Sequence, residues 1–542
     1  MPRSSLLNAL MRIAADVDRA QRPARPVGWG PKIERRAALR GAASLAGMAL
    51  LPRLPALAAA EARVAIVGAG LAGLTAAYEL SKVGLKPHVY EGSTRLGGRC
   101  YSIKFRDNGQ IAEHGGEFIN KGRNQIAIQD LARELGLELD DTYNEHDWDE
   151  LWRFDKERYT REQATTDYAK LHPVIQYQFE RIGGAKCCNY KDPTEFAREL
   201  DQMRLAEWVE LYVSGGRHSR LGQLIENALS EEYSADSTLL SGLVPAQQFY
   251  VNQIPVRPPP SGYKDEFKLY YGVSNERLHI RGGNDQIPSL LGKKLGDAVQ
   301  TGTALIALTR MDGKDGKVQL SLTRDCKVFD EVYDRVIIAL PFTTLRRVDI
   351  KGDQFSPLKC RAIKELGMGT GTKFQLRFKN RDVWNNDKTR CNGEIRLKSD
   401  LFQTTWDVTG AHRQDRGPGP GGMLCFWSAG SQALQAGALD PHDLAKRCLA
   451  EAEELLPGLT AAWTGEITRD AWHTNPWSLG SYAYLPIGYA TTVFGIEKEP
   501  EGNCFFAGEH TADKAVECGY LNAAVVTGQR AAKEVIASLI PH

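Results

Sequence analysis

The sequence has little from which to build a metal centre. Its ten cysteines are scattered, apart from Cys187–Cys188, with no C-x-x-C pair and no cysteine–histidine spacing suited to zinc. No structural metal is expected, and free, buried thiols are the expected state, although an export signal would leave a disulfide open. No charge sign dominates: 68 lysines and arginines face 67 aspartates and glutamates, for a formal net charge of +1. That balance disfavours nucleic acid and anionic membrane surfaces as partners. No apolar run makes a good transmembrane helix; the best, from Gly41 to Leu51, is short and rich in alanine and glycine. Low-complexity tracts and an evident Ser-His-Asp arrangement are missing too.

What the chain does have is length and glycine in the right places. Its 542 residues exceed what one core normally serves, so two or three domains are expected. Residues 63–100 read "RVAIVGAGLAGLTAAYELSKVGLKPHVYEGSTRLGGRC". The β-branched opening suits a strand buried on both faces of a parallel sheet. Gly68, Gly70 and Gly73 follow in G-x-G-x-x-G spacing, and the next stretch reads as a helix with Leu71, Leu74, Ala77 and Leu80 on one side. A second strand ends on Glu91. Gly68 allows the tight turn, Gly70 a close approach of pyrophosphate, and Gly73 close helix–strand packing. The helix N-terminus, from Leu71 and Ala72, offers free N–H groups and a positive dipole end to phosphate. Glu91 suits a ribose and would repel a 2′-phosphate. The order strand, turn, helix, strand, acid predicts a dinucleotide site, open at this point to FAD or NAD.

The N-terminal 60 residues look like a targeting segment. The pair Arg35–Arg36, a modest apolar run and small residues at Ala56 to Ala60 resemble a twin-arginine export signal cleaved near Ala60. The expected mature chain begins near Glu61 and is periplasmic.

The extension "EGSTRLGGRC" resolves the cofactor. Glu91, Arg95, Gly97, Gly98 and Arg99 match an E-x-x-x-R-x-G-G-R segment, and here the chain resembles the flavin amine oxidase family, which includes monoamine, polyamine and L-amino-acid oxidases. The resemblance implies FAD and a discontinuous α/β architecture. A GxGxxG-type FAD-binding domain would be assembled from residues 61–120, 241–345 and 476–542, with a helical region at 121–240 and a mixed α+β substrate domain at 346–475. It further implies cofactor contacts at Gly115, Gly116 and Glu117, a backbone contact to adenine near Ala304 to Ile306, and ribityl contacts from Gly508 and Glu509 in "FFAGEHT". The helix from Tyr520 and Leu521 would aim its N-terminus at the flavin. "AWHTNPWSLGSYAYLP" resembles the flavin-edge segment of that family, so Trp472 would flank the ring system, with Tyr482 and Tyr520 as the two walls of an aromatic cage. Where covalent members carry cysteine this chain has Ser481, so FAD is expected to be noncovalent. Lys373 aligns with a lysine that holds a water near the flavin. From spacing alone it could equally be a surface residue on the alternating strand "TKFQLRF".

The substrate is less legible. Arg123, or an arginine from elsewhere such as Arg396, is a candidate clamp for a carboxylate. Glu117 is a candidate for a cationic amine, and the acidic run at Asp147, Asp149 and Glu150 for an entrance favouring basic side chains. The first reading is an L-amino-acid oxidase that yields a 2-oxo acid, ammonia and hydrogen peroxide, with oxygen as acceptor and a homodimer as the assembly considered. The alternatives are an amine or polyamine oxidase, or a dehydrogenase with a periplasmic acceptor. A desaturase-type reading is disfavoured by Tyr482 and Tyr520, and a non-enzymatic flavoprotein would show no bleaching by amines.

Overall fold

The computed structural model describes residues 62–540, except 106–109, 122–125, 142–148, 185–186, 188, 250–276, 312–315, 352–353 and 410–420, together with scattered positions between 10 and 20. In chain order the elements that matter to the site begin with β1 (Val64–Val67), α1 (Leu71–Lys82) and β2 (His88–Tyr90). Then come β3 (Asp149–Phe154), β4 (Glu157–Arg158), α2 (Arg161–Arg181) and α3 (Arg220–Tyr233). β5 (Val299–Gln300) and β6 (Arg335–Ile338) precede a run of strands: β7 (Gly371–Phe378), β8 (Cys391–Leu397), β9 (Thr404–Asp407), β10 (Gly422–Ala429) and β11 (Trp463–Ala471). β12 (Cys504–Phe506) and α4 (Leu521–Ser538) close the chain.

The first sheet has the order β12-β6-β1-β2-β5, with every pairing parallel. β1 is buried at all four positions, as its β-branched sequence requires of a strand covered on both faces. α1 and α4 pack together on this sheet, and Gly528 of α4 sits so close to α1 that an added Cβ would lie 2.3 Å from the Ala72 carbonyl oxygen. Strands from residues 61–120, 241–345 and 476–542 thus pair in one sheet. Thr303–Arg310 pairs antiparallel with Val318–Arg324.

The second sheet is seven-stranded, in the order β11-β7-β10-β9-β8-β3-β4. Its last two strands come from the stretch expected to be mostly helical. β3 pairs in parallel with β8, anchored by the buried Leu151, Trp152 and Phe154; the acidic residues nearby mask this apolar content in a composition reading. The alternation in β7 also has a clear outcome. Phe374, Leu376 and Phe378 join an apolar core with Phe426 and Leu424 of β10. Lys373, Gln375 and Arg377 occupy the other face, which is buried rather than wet.

Helical positions between 10 and 20 pack into the main core: Leu10, Ile13, Ala14 and Val17 are buried in one cluster with Tyr168, Leu171 and Ile175 of α2. The Gln176 amide donates to Asp18 at 3.0 Å. Arg35–Arg36 and the expected cleavage point lie outside the described residues. Among the described residues eight cysteines form no disulfide, and Cys187 is disulfide-bonded, the possibility left open beside free thiols. No described helix is long and apolar enough to cross a membrane, and the described residues hold no metal-ligand cluster.

Candidate active site

A cavity of about 370 Å³ opens at the carboxyl ends of β1, β2 and β6, where open parallel sheets bind ligands. The turn between β1 and α1 forms one wall. Gly68 has φ +102°, and a Cβ there would meet the Ala339 carbonyl oxygen at 2.8 Å. Gly70 has an ordinary extended backbone, and a Cβ there would meet nothing within 4 Å: it would stand in the cavity. A Cβ on Gly73 would lie 1.9 Å from the Gly68 carbonyl oxygen, so Gly73 serves packing and does not line the cavity. The three glycines thus do three separate jobs, and the space at Gly70 beside the N-terminus of α1 fits a pyrophosphate. Glu91 is buried and accepts the Ala69 N–H at 2.7 Å and the Ser93 N–H at 2.8 Å. Each oxygen keeps a lone pair for a hydroxyl. Burial pushes this carboxyl up, against the pull of those two N–H groups.

Leu71, Ala72, Arg95, Gly98, Arg99, Gly116, Trp472, Gly508, Tyr520 and Leu521 line the same cavity. Three expected contacts do not. Ile306 is 37% exposed at a bulge of its hairpin strand, so Thr303, Ala304 and Leu305 face the cavity in its place. Gly116 lines the cavity, whereas Gly115 and Glu117 do not. Sequence reasoning also missed Pro341, Thr344 and Arg347 after β6, and Trp477, whose ring covers Gly92. The rule that ligands gather at strand carboxyl ends would have found the first three.

Glu509 proves to be the hub. Its carboxylate accepts from Arg99 Nη1 at 2.6 Å, the Gly519 N–H at 2.7 Å and the Ala483 N–H at 3.2 Å. One carboxylate therefore fixes the residue after Tyr482 and the residue before Tyr520. Gly519, at φ +89°, packs against the Tyr482 ring, and Tyr520 lines the cavity. The Tyr482 hydroxyl donates to the Glu231 carbonyl oxygen at 2.5 Å, at the C-terminal end of α3. The Tyr520 hydroxyl donates to Glu232 Oε1 at 3.3 Å. Tyr482 lies nearly parallel to Trp427, 13° between planes and 6.2 Å between centroids. Trp472 donates its indole N–H to the His114 carbonyl oxygen at 2.8 Å.

A row of side-chain positions crosses the second sheet in register: Asp470, Lys373, Trp427, Thr404 and Arg396. Lys373 is buried and pairs with Glu117 at 2.5 Å, with a second bond to the Gly115 carbonyl oxygen at 3.2 Å. Burial works against its charge, but Glu117 outweighs that and holds the ammonium above its ordinary value. Glu117, considered for a substrate amine, has this lysine as its partner. Arg396, considered as a carboxylate clamp, is fully buried and holds Glu231 at 2.5 Å and Glu150 at 3.1 Å. Arg123 and Asp147 lie outside the described residues.

The carboxylates around Arg396 outnumber it. Burial, only partly offset by Arg396, pushes Glu231 up to about 8, and burial with Glu150 pushes Glu394 up to about 7. Both hold a proton in the fold at pH values where the unfolded chain has released it. Their contribution to stability is complete below the ordinary carboxylate value and is lost as pH rises toward about 8. The thermal midpoint of the wild type should therefore fall across that window, and Glu231→Gln should flatten the decline. An unchanged slope in the variant would refute this account.

Comparison with known proteins agrees with this geometry. The sequence profile of the flavin containing amine oxidoreductases matches residues 71–536. The chain is 25% identical over 491 residues to the flavin-containing amine oxidase of Danio rerio, covering 88% of this chain and 86% of that one. It is also 25% identical over 496 residues to an L-amino acid dehydrogenase of Synechocystis, covering 88% and 94%. In fold it is similar to cyclohexylamine oxidase from Brevibacterium oxydans, with a TM-score of 0.71 at 18% identity, covering 88% of this chain and 99% of that one.

Proposed function

Because the chain belongs to the flavin-containing amine oxidoreductase family, we propose that its site takes a primary amine and oxidises the carbon bearing the nitrogen, with no carboxylate required on the substrate. The enzyme is an FAD-dependent oxidoreductase of amines or amino acids, and its FAD is noncovalent. When bound, FAD supplies the two-electron oxidation of the C–N bond and passes the electrons to oxygen as hydrogen peroxide.

In this reading Gly70 and the α1 N-terminus hold the pyrophosphate, Glu91 a ribose, and Trp472 the edge of the ring system. Tyr482 and Tyr520 orient the neutral amine between their faces, and Glu509 fixes both through the backbone. Lys373, charged and buried, holds a water at the reacting edge. The observation that carries the absence of a carboxylate is Arg396: it is already bound by Glu231 and Glu150, and Glu232 stands at the Tyr520 hydroxyl. With Arg396 so engaged, the described site offers Glu232 beside Tyr520 as a group for an incoming ammonium. Two of the three relatives named above, an amine oxidase and a cyclohexylamine oxidase, support this reading, while the third, an L-amino acid dehydrogenase, supports the alternative.

Anaerobic bleaching of the holoenzyme by matched pairs tests this: L-arginine with agmatine, L-lysine with cadaverine, L-phenylalanine with phenethylamine. Bleaching by the amines is the expected result; bleaching by the amino acids alone would replace this reading with an L-amino-acid oxidase. Lys373→Met should keep FAD while slowing turnover by about 100-fold, the scale of a positioned proton-transfer group. Unchanged kinetics would reduce Lys373 to a packing role.

A further inference from the structure

Two tryptophans on the site face of the second sheet have no role in the account so far. Trp427 on β10 is 1% exposed and Trp406 on β9 is 5% exposed. Each has a buried indole N–H with no hydrogen-bond partner among the described residues. A buried donor left unpaired costs about 1–3 kcal/mol, and an indole N–H can only donate. Elsewhere the chain does pair such groups: Trp208 donates to Gln178 at 2.9 Å and Trp384 to Asp407 at 3.0 Å.

Their placement is specific. Trp406 stands opposite Cys425 and Trp427 opposite Thr404, which puts both rings on one face, diagonally across neighbouring strands. Diagonal pairs lie about 7–8 Å apart, within reach of one small molecule. Both belong to the cluster that contains Tyr482 and Trp472. Trp427 lies parallel to the cage tyrosine, and the Lys373 ammonium sits 5.4 Å from the Trp406 ring. The two donors therefore share one cluster with Tyr482 and Trp472, with the Lys373 ammonium beside them.

We propose that Trp406 and Trp427 form an acceptor subsite: their indole N–H groups bind an oxygen of the substrate close to its amine. The substrate class becomes an amine bearing an oxygen acceptor, whether hydroxyl or carboxylate. This rests on the amine-oxidation reading above. A neutral hydroxyl is the better fit, since neither indole carries a charge to offset a carboxylate.

The test uses the holoenzyme and three compounds of one skeleton: phenethylamine, L-phenylalaninol and L-phenylalanine. Trp406→Phe and Trp427→Phe keep a ring but remove the donor. Each should lower the ratio of kcat/KM for the preferred acceptor-bearing compound over that for phenethylamine by about tenfold, the scale of one hydrogen bond at a closed site. A variant that slows all three compounds equally would show a packing role and overturn the proposal. Should a variant fail to fold, ¹⁵N-indole spectra of the wild type decide. Two of the ten tryptophan signals should shift when the acceptor-bearing compound bleaches the flavin and stay in place when phenethylamine does. Two signals that ignore the compound would mean that water alone satisfies them, which also overturns the subsite while leaving amine oxidation standing. If no compound of this set or of the earlier pairs bleaches the flavin, the amine-oxidation reading falls, and the subsite falls with it.

Discussion

Gly70→Val gives a folded, soluble protein that has lost its yellow colour, whereas Gly73→Val gives little folded protein at all. The two positions are three residues apart in one motif, yet the expected failures differ in kind. At Gly70 the backbone is extended (φ −71°, ψ 176°) and a Cβ meets nothing within 4 Å. Valine is sterically welcome there in the empty fold, and its methyl groups occupy the space meant for pyrophosphate. FAD binding should weaken by about 10- to 100-fold, the equivalent of a modest overpacking penalty expressed as affinity. At Gly73 a Cβ would lie 1.9 Å from the Gly68 carbonyl oxygen. That obstacle is backbone, held in turn by Gly68 against Ala339, so no side chain can yield. The cost should exceed the ~1–3 kcal/mol typical of overpacked cores. Flavin absorbance and thermal unfolding of the purified variants separate the two. A Gly70→Val protein carrying a full complement of FAD would refute the pyrophosphate assignment.

Arg396→Met should be the most damaging substitution on the second sheet. The guanidinium is fully buried between Glu231 and Glu150, with Glu394 also nearby. Methionine fills much of the volume but leaves the carboxylates without their cation. Breaking one side of a buried pair costs about 3–5 kcal/mol. The loss should be smaller in acid, because the abandoned carboxylates can then take up protons, and larger toward pH 8. Urea unfolding at the two pH values reads this difference directly. A loss independent of pH would mean that packing, not charge, is what Arg396 supplies.

Both predictions bear on what could be read from the sequence and what could not. The glycine turn, Glu91 and the parallel strands were legible because the physics there is local: spacing, β-branched runs and one acid at a strand end. Tyr482 and Tyr520 could be singled out from the segments around them, since "SYAYLP" and "CGYLN" resemble family segments. Their support was not legible. Glu509 was assigned to the cofactor, and nothing in "FFAGEHT" says that its carboxylate will reach Gly519 and Ala483. Lys373 was undecided because period-2 alternation tells which residues share a face, not whether that face is wet. Only the second layer of the fold, with Glu117 and the Gly115 turn set against β7, answers that. Arg396 misled for a similar reason. An arginine on a strand looks available until β3 and α3, more than 160 residues earlier in the chain, supply its carboxylates. Ile306 shows the smallest kind of error: a single bulge turns the expected residue outward and leaves its neighbours to do the work.

The bond between Arg99 and Glu509 joins residues 410 positions apart. Seen during synthesis, that separation fixes an order of events. When the glycine turn, Glu91 and Arg99 have left the ribosome, β12, the edge strand beside β6, has not been made, and neither has α4, which covers α1. Tyr482, Glu509 and Tyr520 all emerge more than 380 residues after Arg99. The nascent chain therefore carries the glycine turn through 410 residues of synthesis before Glu509 can hold Arg99. Such long-range closure is slow compared with local folding. The first sheet and its covering helix can be complete only after residues 504–538 have emerged, so a chain halted ahead of Cys504 would be left with an open sheet and without Glu509 to hold Arg99.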